Sequence, residues 1–188
     1  MPFDATPGSP AATSYATEDE LDDYLEFRRG GATLLADATP KEALLVSATR
    51  IIDMVCTQLR TYDRVHDYYV TRPYWTGTPT NDDQALAWPR TGMFNRNGFP
   101  IDPDEIPKEL KDAVCELAFQ LYTSDTTLDN AVSVQGITSI KAGPVALAFK
   151  DSIETTKMLP DAVLFLLVPS WLTDVLIEGL RNAIFKVY

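Results

Sequence analysis

The sequence has few of the residues that usually carry catalysis or bind metals. It contains one histidine, His66, and two cysteines, Cys56 and Cys115, which form no CxxC pair. No Walker loop, dinucleotide fingerprint or metal-binding spacing is present. Because His66 has no second histidine or cysteine cluster as a partner, a surface or interface position is its simpler interpretation. The cysteines are expected to be buried, reduced thiols. We therefore expect no enzyme, no cofactor and no metal site.

Positive charge is also scarce, and long apolar runs are missing. Sixteen Lys and Arg residues stand against 27 Asp and Glu residues, which gives a net charge of −11. Nucleic acids are bound largely through Lys and Arg that displace counterions. Binding nucleic-acid phosphates is therefore not expected to be the main function of the protein, although a local basic patch is not excluded. The apolar runs are far shorter than a membrane span and no signal peptide is visible, so no membrane partner is expected.

The apolar content is nevertheless high enough to build one folded domain. Hydrophobic residues make up 45% of the 188 residues, which is too much for a disordered chain. One domain is expected over residues 15–180. Residues 1–14 are rich in Pro, Ala, Ser and Thr, which predicts a flexible N-terminal arm that could order on a neighbour in an assembly.

Three main helices are predicted, and they make the fold class mainly α. Thr17 and Glu20 have the spacing of a capping box and mark the start of the first helix. Thr39-Pro40 is typical of a second start, after which apolar residues recur with the 3.6-residue period. Asp53 lies off that apolar stripe and is expected in solvent. The third helix follows Pro107.

Two further segments near these helices are less regular. Residues 60–74 are dense in tyrosine, arginine and aspartate, a composition that favours an interface. Towards the C-terminus we expect a short helix, a break at Pro169 and one more turn capped by Ser170. Ala162, Phe165 and Leu166 are predicted to pack on the core.

A long stretch from Trp75 to Pro107 joins the second and third helices. Its tryptophans and phenylalanines argue against disorder, so a long ordered aromatic loop is predicted. Trp88-Pro89 favours extended backbone at Trp88, and Asn97-Gly98 favours a turn. A plain surface connection with two buried aromatic anchors is the alternative. The expected loop anchors are Trp75, Trp88, Pro89 and Arg90.

The pattern changes over residues 132–149, where β-branched residues alternate and Gly143-Pro144 makes a break. This pattern predicts a small β-hairpin. It is either a satellite of the domain or an edge that pairs with a neighbouring subunit. The expected subunit contacts are Val134, Ile137, Ile140 and Val145.

Residues 181–188 are basic and aromatic in an acidic chain. This contrast is typical of a docking peptide, whereas a last strand packed on the domain is the alternative. The expected docking residues are Arg181, Phe185, Lys186 and Tyr188.

One part of the sequence resembles a known family. The order W-x-G, QALAWPR and NGFPIDPDEIP, followed by an Ala-rich helix, is similar to tailed-phage head-tail adaptors, also called connector or head-completion proteins. Many of these carry a label that compares them with a DnaT-like single-stranded-DNA-binding protein. The resemblance covers roughly residues 15–180, and its tight motif lies between Trp75 and Pro107.

The resemblance implies a structural protein of the virion neck in a bacteriophage, made in the host cytoplasm. Such adaptors form a homo-oligomeric, dodecameric ring that binds the portal protein, extends the DNA channel without gripping the genomic DNA, and docks the tail or next neck protein. The tail of residues 181–188 would dock on the portal. A single-stranded nucleic-acid-binding protein is the alternative function, and a host-directed interaction protein is a third interpretation.

Overall fold

The fold of the chain is known from a computed structural model. It describes residues 2–57, 59–63, 68–72, 75–123, 139–142, 145–148 and 159–172. The helices are α1 (Glu18–Phe27), α2 (Ala32–Leu35), α3 (Lys41–Thr57), α4 (Lys108–Thr123) and α5 (Asp161–Leu166), with a 3-10 turn at Pro169–Trp171. The strands are β1 (Leu59–Asp63), β2 (Tyr68–Arg72), β3 (Thr78–Pro79), β4 (Arg90–Thr91), β5 (Ser139–Ala142) and β6 (Val145–Ala148). The mainly α fold class is confirmed.

Helix α1 begins and ends where local chemistry demands. The Thr17 hydroxyl accepts the backbone N–H of Glu20, and the Glu20 carboxylate accepts the N–H of Thr17, so the predicted capping box is confirmed. The helix ends at Phe27, before Gly30 adopts a φ of 83°. A Cβ on Gly31 would lie 2.1 Å from the Leu25 carbonyl oxygen. This close approach requires glycine and turns the chain into α2.

The core lies where α1, α3, α4 and α5 meet. Helices α3 and α4 follow the predicted apolar stripes. Cys56 of α3 and Cys115 of α4 are buried, as expected. Burial raises the pKa of each thiol to about 12, so both are protonated at neutral pH. The fully buried side chains of the helices include Leu21, Leu25, Leu45, Ile52, Leu110, Val114 and Leu117.

A buried ion pair ties α1 to α4. The Arg28 guanidinium donates to both carboxylate oxygens of Glu116, at 2.6 and 2.8 Å. Glu116 is almost fully buried and also accepts from Tyr24 and Gln120. Both carboxylate oxygens of Glu116 therefore have hydrogen-bond donors, and these bonds offset the free-energy cost of burying its charge.

Each sheet in the described segments has two antiparallel strands. Strands β5 and β6 pair Ala142 with Val145 across residues 143–144, which confirms the predicted hairpin at that position. Strands β1 and β2 pair Leu59 with Arg72 and Asp63 with Tyr68, and they form a second hairpin that the sequence analysis did not predict. Strands β3 and β4 lie inside the long loop. No helix among the described residues is long and apolar enough to cross a membrane.

Residues 2–14 differ from the flexible arm that the sequence predicts. The Asp4 carbonyl accepts the backbone N–H groups of Thr13 and Ser14, and the Asp4 carboxylate accepts from Thr6 and Ser9. These bonds close a compact loop on the domain, and residues 12–16 are buried. The Pro, Ser and Thr residues of this segment therefore form turns within an ordered loop.

The packing predicted for α5 is confirmed only in part, because Leu166 packs against the core. Ala162 and Phe165 are exposed, and Val163 and Leu167 are buried instead. The two buried residues are four positions apart and therefore lie on one side of the short helix. A 3-10 turn spans Pro169–Trp171 and includes Ser170, whereas the turn predicted to follow Ser170 lies largely outside the described residues.

Candidate interaction surface on the tryptophan loop

Three tryptophans from two distant segments pack together beneath the long loop. The rings of Trp75 and Trp88 meet edge to face with centroids 5.7 Å apart, and Trp171 lies 5.0 Å from Trp88. All three are fully buried. The loop backbone is held at both sides, because the N–H of Trp75 donates to Cys56 and the N–H of Thr76 donates to Trp171. The tryptophans therefore fix the loop to the domain.

Arg90 acts inside the loop as a bridge between backbone carbonyls. Its guanidinium donates to the carbonyl oxygens of Thr76 at 2.7 Å, Ala87 at 2.9 Å and Gly77 at 3.0 Å. The side chain is buried, and no carboxylate of the described residues contacts it. Its planar fork joins the segment before β3 to the segment before β4.

Tyr15 and Asp53 hold the other side of the loop. The Tyr15 hydroxyl donates to the Asp53 carboxylate and accepts the backbone N–H of Trp88 at 3.2 Å. The second carboxylate oxygen of Asp53 accepts the N–H of Ala87 at 3.1 Å. The expectation that Asp53 lies in solvent is therefore wrong. The carboxylate is half-buried and satisfies backbone donors of the loop, either directly or through Tyr15.

Burial decides the protonation behaviour of these groups. It raises the pKa of the Tyr15 phenol well above its usual range, and the charge of Asp53 adds to that shift. It also raises the pKa of Asp53, against the opposing hydrogen bonds from Tyr15 and Ala87. Burial lowers the pKa of Arg90, while the nearby Tyr15 and Asp53 oppose that change. The hydrogen bonds of the cluster support the loop structurally.

The loop presents an aromatic turn, residues 94–100, to solvent. Phe94 and Pro100 form an antiparallel bridge, and the Asn95 side chain accepts the backbone N–H groups of Asn97 and Phe99 at 3.0 Å each. The indole N–H of Trp171 donates to the Phe94 carbonyl at 2.7 Å. The turn is therefore rigid before it meets any partner.

Exposed apolar rings cluster around this turn. Phe94 is 51% exposed, Phe99 67% and Phe165 71%. Arg96 connects them, since its guanidinium donates to the carbonyl oxygens of Phe165 and Leu166 at 3.2 and 3.3 Å. We call Phe94, Arg96, Phe99 and Phe165 the aromatic surface. Exposed phenylalanines on a rigid support beside an arginine are typical of an interface.

The structure brings some of the predicted site residues together and not others. Trp75, Trp88, Pro89 and Arg90 are all buried at the base of the loop. Ile140 lies opposite Leu147 in the hairpin, and Val145 lies opposite Ala142. Outside the described residues lie Val134, Ile137, His66, Arg181, Phe185, Lys186 and Tyr188.

Sequence reasoning missed Trp171, Tyr15 and the aromatic surface as parts of this site. Trp171 and Tyr15 reach the loop from opposite ends of the chain, and no local pattern indicates such contacts. The NGFP segment was interpreted as a turn and as part of the family motif, but the exposure of Phe99 within it and of Phe94 just before it was not predicted. Within the described residues no group of three or more His, Cys, Asp or Glu side chains could hold a metal ion.

Comparisons with known proteins complete the description of the site. The family model described as "Putative DnaT-like ssDNA binding protein" matches residues 3–186. No curated protein and no solved structure matches the chain. The match spans nearly the whole chain, including the loop, the aromatic surface and the helices. The chain therefore belongs to this DnaT-like family.

Proposed function

We propose that the chain is a structural adaptor of a tailed-phage neck, a ring subunit that binds the portal, extends the DNA channel and docks the tail or next neck protein. The observation that carries this proposal is the aromatic surface, which stands on a rigid, tryptophan-anchored loop. Preformed apolar anchors of this kind bind a protein partner at a low entropic cost. The resemblance of the loop motif to head-tail adaptors points in the same direction.

The charge of the molecule also supports an adaptor. A ring through which DNA passes should not hold phosphates tightly, and a net charge of −11 opposes such contacts. The proposed assembly is a dodecameric ring in the virion. Its subunits touch through the β5–β6 hairpin, and residues 181–188 reach the portal.

A second candidate function, single-stranded-DNA binding, is favoured by the description of the family. Such proteins stack bases on aromatic side chains within a positively charged groove. The three tryptophans cannot serve as stacking platforms because they are buried. Phe94 and Phe99 could serve, with Arg96 as the nearby cation. The family description supports this candidate, whereas charge and burial support the adaptor.

A DNA titration separates the two candidates. Fluorescence anisotropy of a labelled oligo-dT strand would be measured with the full chain at about 50 mM and about 200 mM salt. The adaptor proposal expects no binding at micromolar protein at the higher salt. Micromolar or tighter binding that weakens steeply with salt would overturn it and support the second candidate.

Matched variants locate any binding that is observed. If the aromatic surface stacks bases, Phe99→Ala and Arg96→Gln should weaken DNA binding. Arg50→Gln, on the exposed side of α3, should leave DNA binding unchanged. Equal effects of Arg96→Gln and Arg50→Gln would indicate non-specific attraction to charge.

A further inference from the structure

An exposed apolar ring lies beside a cleft at the end of α1. Phe27, the last residue of α1, is 91% exposed. It stands at a cleft of about 690 Å³ between α1 and the start of α4, whose lining also includes Ile106 and Tyr24. The rest of the lining is mostly charged and Ile106 itself is almost fully buried, so Phe27 supplies the large exposed apolar ring of this cleft.

The cleft also holds carboxylates without partners. Two of its carboxylates are neutralised, because Lys111 pairs with Glu20 at 2.6 Å and Lys108 pairs with Asp112 at 2.8 Å. Asp23 and Glu105 also line the cleft and are exposed. No side chain among the described residues donates to either carboxylate. An occupant with a cation and an apolar ring would complement both features.

The aromatic turn of the same chain has that chemistry. Phe99 projects an exposed ring, and Arg96 lies three residues before it in the rigid turn. Only one guanidinium nitrogen of Arg96 has acceptors within the described structure, so the others are free to donate. Arg is favoured at such contacts because its planar fork binds carboxylates well.

We propose that the aromatic turn of one copy inserts into the α1–α4 cleft of a second copy. Phe99 would pack on Phe27, and Arg96 would bind Asp23 or Glu105. The two surfaces differ, so the contact is heterologous, and repetition of such a contact closes a ring when the rotation permits. This inference rests on the proposed function in needing a second copy of the chain, and it adds a subunit contact to the one proposed through the β5–β6 hairpin.

Disulfide trapping tests the contact without portal or DNA. A chain carrying Asn97→Cys would be mixed with a chain carrying Lys108→Cys, and cross-linked heterodimer would be quantified over time. Asn97 lies at the tip of the turn, and Lys108 is exposed in the cleft. The native Cys56 and Cys115 are buried and should not react. The control mixture pairs Asn97→Cys with Arg50→Cys, which lies on the exposed side of α3.

The proposal expects the cross-linked heterodimer to form at least about tenfold faster in the first mixture than in the control mixture. That ratio corresponds to an approximately tenfold difference in affinity. Equal rates would overturn it. Adding Phe99→Ala to the turn chain should abolish the preference. An unchanged preference would also overturn the proposal, because Phe99 is exposed and its loss should not affect folding.

A charge exchange gives a second, independent readout. Arg96→Glu in the turn chain should reduce the trapping preference, and Glu105→Arg in the cleft chain should restore it. Arg50→Glu in the turn chain is the matched control and should change nothing. If neither Glu105→Arg nor Asp23→Arg in the cleft chain restores the preference, the ionic part of the contact is refuted. Failure of these trapping tests leaves the adaptor proposal standing, since that proposal depends on the DNA titration.

Discussion

Replacing Trp88 with alanine should destabilise the whole domain, because the ring is the centre of the tryptophan cluster. Trp88 is 1% exposed and touches both Trp75 and Trp171. Truncation of a buried tryptophan costs about 3–5 kcal/mol of unfolding free energy. The two aromatic contacts account for about 0.5–1.5 kcal/mol each within that sum. The hydrogen bond from the residue 88 N–H to Tyr15 is kept by alanine and adds nothing.

The effect is measured by thermal unfolding of the purified chain. For a domain of this size, each kcal/mol lowers the melting temperature by about 2–4 °C, so Trp88→Ala should lower it by about 6–20 °C. Trp88→Phe should cost less, since it keeps much of the apolar volume. Phe27→Ala is the exposed control and should shift the melting temperature by no more than about 2 °C. A Trp88→Ala shift as small as the control would refute the anchor role.

Three further predictions concern other parts of the structure. Arg90→Lys keeps the charge but cannot reach three carbonyls at once, so urea unfolding should show a loss of about 1–3 kcal/mol, and an unchanged midpoint would contradict the bridging role. Burial would raise the pKa of Glu116, but hydrogen bonds from Arg28, Gln120 and Tyr24 outweigh it and hold that pKa below its usual range. The stability that ionised Glu116 contributes is therefore present above about pH 4.5 and is lost as the pH falls further. The difference in melting temperature between wild type and Glu116→Gln should accordingly narrow from about pH 5 to about pH 3. A difference that stays constant over this range would contradict the linkage. Removal of residues 182–188 should leave the melting temperature nearly unchanged and abolish portal binding. A much lower melting temperature would show that these residues belong to the core. A normal melting temperature together with normal portal binding would disprove the docking role.

The elements predicted correctly are those whose signals are local. The capping box at Thr17, the apolar stripes of α3 and α4, and the turn around Asn97 each depend on residues within a few positions of one another. The mainly α class followed from them. The β5–β6 hairpin was also predicted, because its alternating pattern and Gly143-Pro144 break lie in one short segment.

The features that were missed depend on contacts between distant residues. Tyr15 becomes buried because Thr49 and Asp53 of α3 bind it, and this overrides the flexible composition of the residues before it. Asp53 lies off the apolar stripe, yet it faces the loop and not water. Trp171 reaches Phe94 across 77 positions of the sequence. Periodicity reports which face of a helix is apolar, but it does not report which polar residue meets a loop.

The candidate site was predicted in part for the same reason. The loop and its tryptophans were identified from composition, and the structure buries those residues at the base of the loop. The part that faces solvent was not identified, since exposure of Phe94, Phe99 and Phe165 depends on how the turn and α5 come together. Phe165 was expected in the core because it is apolar, whereas the short helix buries Val163 and Leu167 instead.

The most direct test of the adaptor proposal is electron microscopy of the purified chain mixed with a portal protein encoded in the same genome. The adaptor account predicts portal particles that carry an additional ring layer on one face, with a density for every portal subunit. The Trp88→Ala chain, if it folds, should form this layer poorly, because the loop that presents the aromatic surface would no longer be held. Portal particles that stay bare at saturating concentrations of wild-type chain would contradict the account.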